Sequence, residues 1–308
     1  MRTMEHNYHT SMNRERITIR STRTVMLLCC LSVVLCAHPV ERNTLYSGTV
    51  VVLEFLKYGM VVAADSREER RGSAPYDRAC KITPLGTQMF FAGAGMQSGA
   101  DENRVRRTFG PDFAHAAYQK AESLPNNGGR NLKVVEEWGE SMRRFVERRA
   151  TQDPNFASDL PSDTVAQGLF GSSTAEGKLL VYVENIHYSK SHAPRVWVDT
   201  EPQENLKPGQ LLKLGAWIGV QEFYAKKTGR AISANRVVDE RISDSMAKSV
   251  NASSDLAILA MPVEYAIRYA EDWNVDDQHI GGDVDSLLLW DGRVQWIHVK
   301  DECRTQIK

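Results

Sequence analysis

Thr49 stands directly after Gly48 at the head of a strand-like run, and Asp65, Lys81 and Gly95 follow it 16, 32 and 46 residues later. A threonine hydroxyl is a weak nucleophile at its own pKa, so its chemistry depends on a base that takes the proton. A free α-amine can be that base. Its unperturbed pKa of roughly 8 lies near neutrality, and as the amine of Thr49 itself it can be held by the fold close to the hydroxyl. Such chemistry requires the bond between Gly48 and Thr49 to be cut. Taken one at a time, these residues have ordinary readings. Asp65-Ser66-Arg67 is a polar turn after a strand, a lysine usually faces solvent, and Gly93-Ala94-Gly95 is a strand end.

The elements that must position them are legible from pattern. Short β-rich runs come first, at 49–57, 60–65, 81–82 and 87–94, with turn chemistry at Tyr58-Gly59, Gly72 to Pro75 and Pro84 to Gly86. A helix is predicted over 113–122, after Pro111-Asp112. A second follows in which Leu132, Val135, Trp138, Met142, Phe145 and Val146 recur at three and four, with Glu136, Glu140, Arg144 and Arg148 on the wetter side. Further strands are expected at 164–172, 178–184, 195–198 and 211–216, then helices at 222–227, 238–248 and 256–273, and closing strands at 286–290 and 294–299. Blocks of strands and helices, rather than strict alternation, predict an α+β fold in which two antiparallel sheets pack together with helices outside. The hairpin at Tyr58-Gly59 then brings the Asp65 turn back beside Thr49.

The 308 residues are 42% hydrophobic and 25% charged, which suits one large globular domain. A net charge of −1 leaves no global excess to attract a phosphate backbone or an anionic membrane, so nucleic acid is not the expected partner. Arg14, Arg16, Arg20 and Arg23 precede the apolar run Val25 to Ala37, the layout of a secretory signal. Those thirteen residues are too few to span a bilayer, which takes roughly 20 in a helix. Residues 1–37 are therefore expected to be a signal peptide, 38–48 a short propeptide and 49–308 the functional domain. The protein is expected to be exported, whether secreted, periplasmic or lumenal, with no membrane association beyond the signal segment.

Cys29, Cys30 and Cys36 would leave with the signal, and Cys80 and Cys303 remain. Two buried or free thiols are the ordinary expectation. Export permits a disulfide between them, but one pair so far apart is not assigned without geometry. His187 and His192 are expected in a loop without metal-ligand spacing, and neither a metal nor a cofactor is expected.

The segment "GTVVVLEFLKYGMVVAADSR", Lys81 and the "FAGAG" of Phe91 to Gly95 together resemble the opening of catalytic proteasome β-subunits, which are N-terminal nucleophile hydrolases. The resemblance is strongest over residues 48 to 101 and lies in spacing as well as type. It implies a four-layer αββα sandwich, a nucleophile at Thr49 and autocleavage after Gly48. It also implies that Lys81, kept charged by Asp65, lowers the pKa of hydroxyl and amine. The backbone N–H of Gly95 would receive the developing oxyanion. Arg67 and Gly93 would lie on the substrate side, where glycine leaves a deep pocket. Asp101 matches the acidic position of trypsin-like subunits and implies a preference for cleavage after Arg or Lys. Relatives assemble into rings, so a homo-oligomer is implied alongside a peptide or protein substrate.

Near the C-terminus the segment Asp277-Gln278-His279-Ile280-Gly281-Gly282 keeps the aspartate of active relatives and places Ile280 where they carry serine. Gly215-Ala216-Trp217 likewise lacks a serine that relatives place between glycines. An isoleucine side chain neither donates nor accepts a hydrogen bond. Three classes therefore stand open: a threonine peptidase, a catalytically silent structural or binding subunit, and a small-molecule amidohydrolase on the same fold.

Overall fold

The first strands form because Val50–Phe55 (β1) and Gly59–Asp65 (β2) are almost continuous runs of β-branched and other apolar residues, closed into a hairpin where the Leu56 amide donates to the Gly59 carbonyl at 2.9 Å. The computed structural model describes residues 49–67, 77–100, 106–107, 109–152, 156, 163–189, 195–215, 256–273 and 280–304. After β1 and β2 come β3 (Ile82–Pro84), β4 (Met89–Gly95) and two short strands, β5 (Gly99–Ala100) and β6 (Arg106–Arg107). Helices α1 (Phe109–Ala121) and α2 (Gly128–Gln152) follow, then β7 (Thr164–Ser173), β8 (Leu179–Ser189), β9 (Arg195–Pro202) and β10 (Gln210–Gly215). Helix α3 (Leu256–Trp273), strands β11 (Val284–Trp290) and β12 (Arg293–His298) and a last turn, α4 (Asp301–Arg304), complete the described elements.

Two five-stranded sheets result, ordered β10-β1-β2-β11-β12 and β3-β4-β7-β8-β9, and every pairing in them is antiparallel. Side chains alternate across a strand, and the two faces of β1 illustrate the result. Val51 and Leu53 join Met60, Val62, Phe90, Ala92, Leu169 and Leu287 in a cluster drawn from both sheets. Val50 and Val52 face the other way, with Val61, Ala63 and Leu288, against Ala260, Val263 and Ile267 of α3. The second sheet turns Phe91, Phe170 and Ile186 to Val134, Val135, Trp138 and Met142 of α2 and Ala114 and Ala117 of α1. The mixed α+β class with two antiparallel sheets is as expected.

Several boundaries differ for identifiable reasons. Helix α1 begins at Phe109, ahead of Pro111, because proline is tolerated in a first turn where its missing N–H has no partner to lose. Helix α2 begins after Asn127, whose Oδ1 accepts the Arg130 amide at 3.0 Å as an N-cap. Its buried stripe uses Val134, while Leu132 is 37% exposed rather than part of that face. Strand β8 runs on to Ser189, so His187 lies in a strand, stacked on Trp197, and not in a loop. The expected helices at 222–227 and 238–248, and His192, lie outside the described residues. Arg143 and Arg144 are tied along α2 to Glu140, and Arg143 also to Glu147. Among the described residues, no helix is long and apolar enough to cross a membrane.

Candidate active site

Antiparallel pairing brings the start of β1, the end of β2, the start of β11 and the end of β10 to one end of the first sheet, since Val51 pairs with Ala64, Val284 with Asp65 and Val50 with Gly215. Thr49 lies there, 1% exposed in the intact chain. Asp65 is the hub. Its Oδ1 accepts the Val50 amide at 2.9 Å and the Lys81 ammonium at 3.1 Å, and its Oδ2 accepts the Gly281 and Arg67 amides at 3.2 and 3.3 Å. One carboxylate oxygen thus bridges Lys81 to the peptide bond that follows Thr49. The Lys81 ammonium also donates to the Arg67 carbonyl.

The Asp65 and Lys81 side chains are 0 and 6% exposed. Burial disfavours both charges, pushing the Asp65 carboxyl up and the Lys81 ammonium down, while each partner's charge and hydrogen bonds pull the other back. Four donors on the carboxylate and two acceptors on the ammonium favour the ionised pair. A buried, paired lysine delivers its charge undiluted by solvent.

The strand carrying Gly93 and Gly95 is pinned to this cluster by the Gly93 amide, which donates to the Lys81 carbonyl at 2.9 Å. Gly95 ends β4 with φ +77°, a left-handed backbone that favours glycine. Gly93 does not open a deep hollow, because the Gln97 carboxamide lies 2.5 Å from where a Cβ would stand. That side chain is fixed by donating to the Ala94 and Gln167 carbonyls at 2.7 and 3.0 Å, and its Oε1 is buried without a partner. Gln167 in turn accepts the Gly215 amide at 3.3 Å, joining the second sheet to the first beside Thr49. Gly215, at φ +90°, approaches so closely that a Cβ would stand 1.6 Å from the Thr49 carbonyl oxygen.

Arg67 is held by Asp77, its Nε and Nη2 donating to the two carboxylate oxygens at 2.7 and 3.0 Å. The arginine beside it holds the Asp77 carboxyl below its ordinary range. Its Nη1 also donates to the Ile280 carbonyl at 3.3 Å, and the Ser66 and Arg67 amides donate to Gly281. The 280–282 segment therefore meets the cluster through its backbone. The Ile280 side chain is 4% exposed and belongs to the apolar cluster on the α3 side.

Cys80 and Cys303 form a disulfide, correcting the expectation of two thiols. It links the residue before Lys81 to α4 across 223 residues of sequence, a pairing that only the closed fold reveals. Gly48, Asp101, Ala216 and Asp277 lie outside the described residues. Asp77, Gln97 and Gln167 were not anticipated, since no spacing marks them, and Gly215 was noted only for the serine missing beside it. Elsewhere, Ser286, His298 and Glu264 cluster without forming a nucleophile. The Ser286 hydroxyl donates to Glu264 Oε1 at 2.5 Å, and His298 Nδ1 meets the same oxygen at 2.6 Å while standing 3.5 Å from Ser286 Oγ, so the serine proton is directed to the carboxylate rather than to the ring. Among the described residues, no group of three or more His, Cys, Asp or Glu side chains is placed to hold a metal ion.

The chain matches no protein-family model, and no curated protein matches it at a significant level.

Proposed function

We propose that this chain is a self-processing threonine amide hydrolase of the N-terminal nucleophile type, on the four-layer fold of the proteasome β-subunits its sequence resembles. The observation that carries the reading is the buried Asp65 carboxylate, which joins Lys81 to the Val50 amide next to Thr49. In the first reaction the Thr49 hydroxyl attacks the Gly48 carbonyl, the acyl group moves from nitrogen to oxygen, and water hydrolyses the resulting ester. The product is a free Thr49 amine.

In the second reaction that amine takes the hydroxyl proton as Oγ attacks a substrate amide carbonyl. The Lys81 charge favours the deprotonated oxygen and the neutral amine. Backbone N–H groups at the end of β4 would meet the oxyanion, and collapse of the tetrahedral intermediate expels the amine product with the borrowed proton. Water then releases the acyl group from Thr49. The position of Gln97 over Gly93 favours small or extended side chains before the cut bond over bulky ones.

A panel of peptide-coumarin amides tests the activity. The mature wild type is expected to release coumarin and Thr49→Ala is expected to release none. Equal turnover by both proteins would end the reading, and equal rates after Arg and Leu would end the assignment of Asp101 to a basic preference. A silent subunit is the second reading, favoured by Ile280, whose side chain is buried in the apolar cluster and offers no hydroxyl. It predicts a folded chain that no amide substrate turns over.

A further inference from the structure

The segment carrying Lys81 is bound to the C-terminal tail by more than the disulfide. Arg78 Nη1 donates to Glu302 Oε1 at 2.7 Å, Cys80 is bonded to Cys303, and the Cys303 amide closes α4 onto the Lys300 carbonyl at 3.0 Å. Lys300 pairs through its ammonium with Asp285 Oδ2, and its amide donates to Asp285 Oδ1 at 3.0 Å. These two side chains are 7 and 3% exposed. Asp285 pairs with Ala64 in the β2–β11 ladder, one rung from the pairing of Asp65 with Val284. Neighbouring rungs turn their side chains to opposite faces, so the ladder alone does not join the two nearly dry ion pairs, Asp65 with Lys81 and Asp285 with Lys300. The disulfide does, since Cys303 Sγ lies 3.5 Å from Asp285 Oδ2 and Cys80 directly precedes Lys81. A buried ion pair is weak evidence for stability, because desolvating both charges offsets most of their attraction. A second one next to the first calls for another explanation.

We propose that Lys300 and Asp285 are positioning residues for the reaction at Thr49, acting through Lys81, with the Cys80–Cys303 disulfide as the clamp that fixes their distance from it. The proposal rests on the hydrolase reading above for its functional meaning, and on the two ion pairs and the disulfide that ties their segments together for its physical content. The charges that act on Lys81 are Asp65 from β2, Asp77 from the segment after it and Lys300 from the C-terminal end, the last paired with Asp285, while Arg67 meets Lys81 through its backbone carbonyl. The Lys300 charge opposes the charge on Lys81, whereas those of Asp65 and Asp77 support it. Asp285 restrains that opposition by pairing with Lys300. The tail thus holds Lys81 charged but poised, and neither Lys300 nor Asp285 need touch substrate.

The two partners act on Lys81 with opposite sign, which separates positioning from mere support. In Lys300→Met the opposing cation is gone, and Lys81 is expected to titrate at higher pH than in the wild type. In Asp285→Asn the Lys300 cation is left uncompensated, and Lys81 is expected to titrate at lower pH. The side-chain nitrogen signal of Lys81 in the full-length, lysine-15N-labelled protein reads this by NMR, and the alkaline limb of the pH-rate profile on a peptide-coumarin amide is expected to move the same way. If a single variant does not fold, Asp285→Asn combined with Lys300→Met leaves no unpaired buried charge, and Lys81 is again expected to titrate above its wild-type position.

A Lys81 titration that stays put, or that moves in the same direction in both single variants, would overturn the proposal. The NMR titration needs no turnover. Absence of activity with the opposed shifts intact would therefore count against the hydrolase reading and leave the ion-pair coupling standing.

Discussion

Glu54 interrupts the apolar face that β1 turns toward α3, and the penalty it carries can be worked out. It follows Val50 and Val52 on that face, opposite Val61 and Leu211, is 0% exposed, and has no hydrogen-bond partner on either carboxylate oxygen. Burial alone pushes its pKa from 4.5 up to about 7. Below pH 4.5 the carboxyl is protonated in both the folded and unfolded chain and carries no charge penalty. Between 4.5 and about 7 the unfolded chain gives up the proton while the folded one keeps it, so stability falls as pH rises. Above 7 both are ionised and the folded state bears the cost of a dry charge.

At about 1.4 kcal/mol per pH unit, that interval corresponds to a loss on the order of 3 kcal/mol. Glu54→Leu removes the titration and continues the apolar face. Urea unfolding of wild type and variant at pH 4 and at pH 8.5 measures the effect. The variant's advantage is expected to grow by about 3 kcal/mol between the two pH values. A difference between the proteins that does not change with pH would refute the reasoning. Glu184, 1% exposed with one unpartnered oxygen and likewise pushed up to about 7, adds a similar slope to both proteins and cancels in the comparison.

Other consequences can be measured separately. Lys81→Met leaves the Asp65 carboxylate dry and unpaired, so it is expected to cost about 3–5 kcal/mol in urea unfolding and to abolish processing, and a variant that still processes would contradict the role given to Lys81. Gly215→Ala places a methyl group against the Thr49 carbonyl at a φ that costs about 1–2 kcal/mol for any other residue, so Thr49-dependent turnover is expected to fall steeply, and unchanged turnover would show that the β1–β10 approach does not set the site. Replacing Cys80 and Cys303 by serine opens a loop of 223 residues, worth about 5 kcal/mol in the chain-entropy model, and an unchanged thermal midpoint would mean that the disulfide does not restrain the unfolded chain.

The sheet framework was readable because β1, β2 and β4 are apolar runs bounded by turn residues, and α3 matches its expected limits of 256–273 because its apolar residues recur at helical spacing through Pro262. The β1–β2 hairpin returns Asp65 to the Val50 amide beside Thr49, and Lys81, from the segment before β3, reaches the same carboxylate oxygen. Contacts that depend on distant segments were not readable. Cys80 meets Cys303 and Asp65 meets Gly281 only once segments far apart in sequence have closed together, and nothing local distinguishes these residues from their neighbours. The filling of the space over Gly93 by Gln97 is of the same kind, since a glycine announces room and says nothing of what occupies it. Glu54 shows the reverse limit, a charged residue whose burial follows from strand alternation but conflicts with its own type.

The most direct test of the central claim is intact mass and N-terminal sequencing of the protein recovered from its natural host. A mature chain beginning at Thr49, absent in Thr49→Ala and in Lys81→Met, is the result predicted here. A wild-type chain that begins near His38 and keeps Gly48 bonded to Thr49 would leave the amine blocked and contradict it.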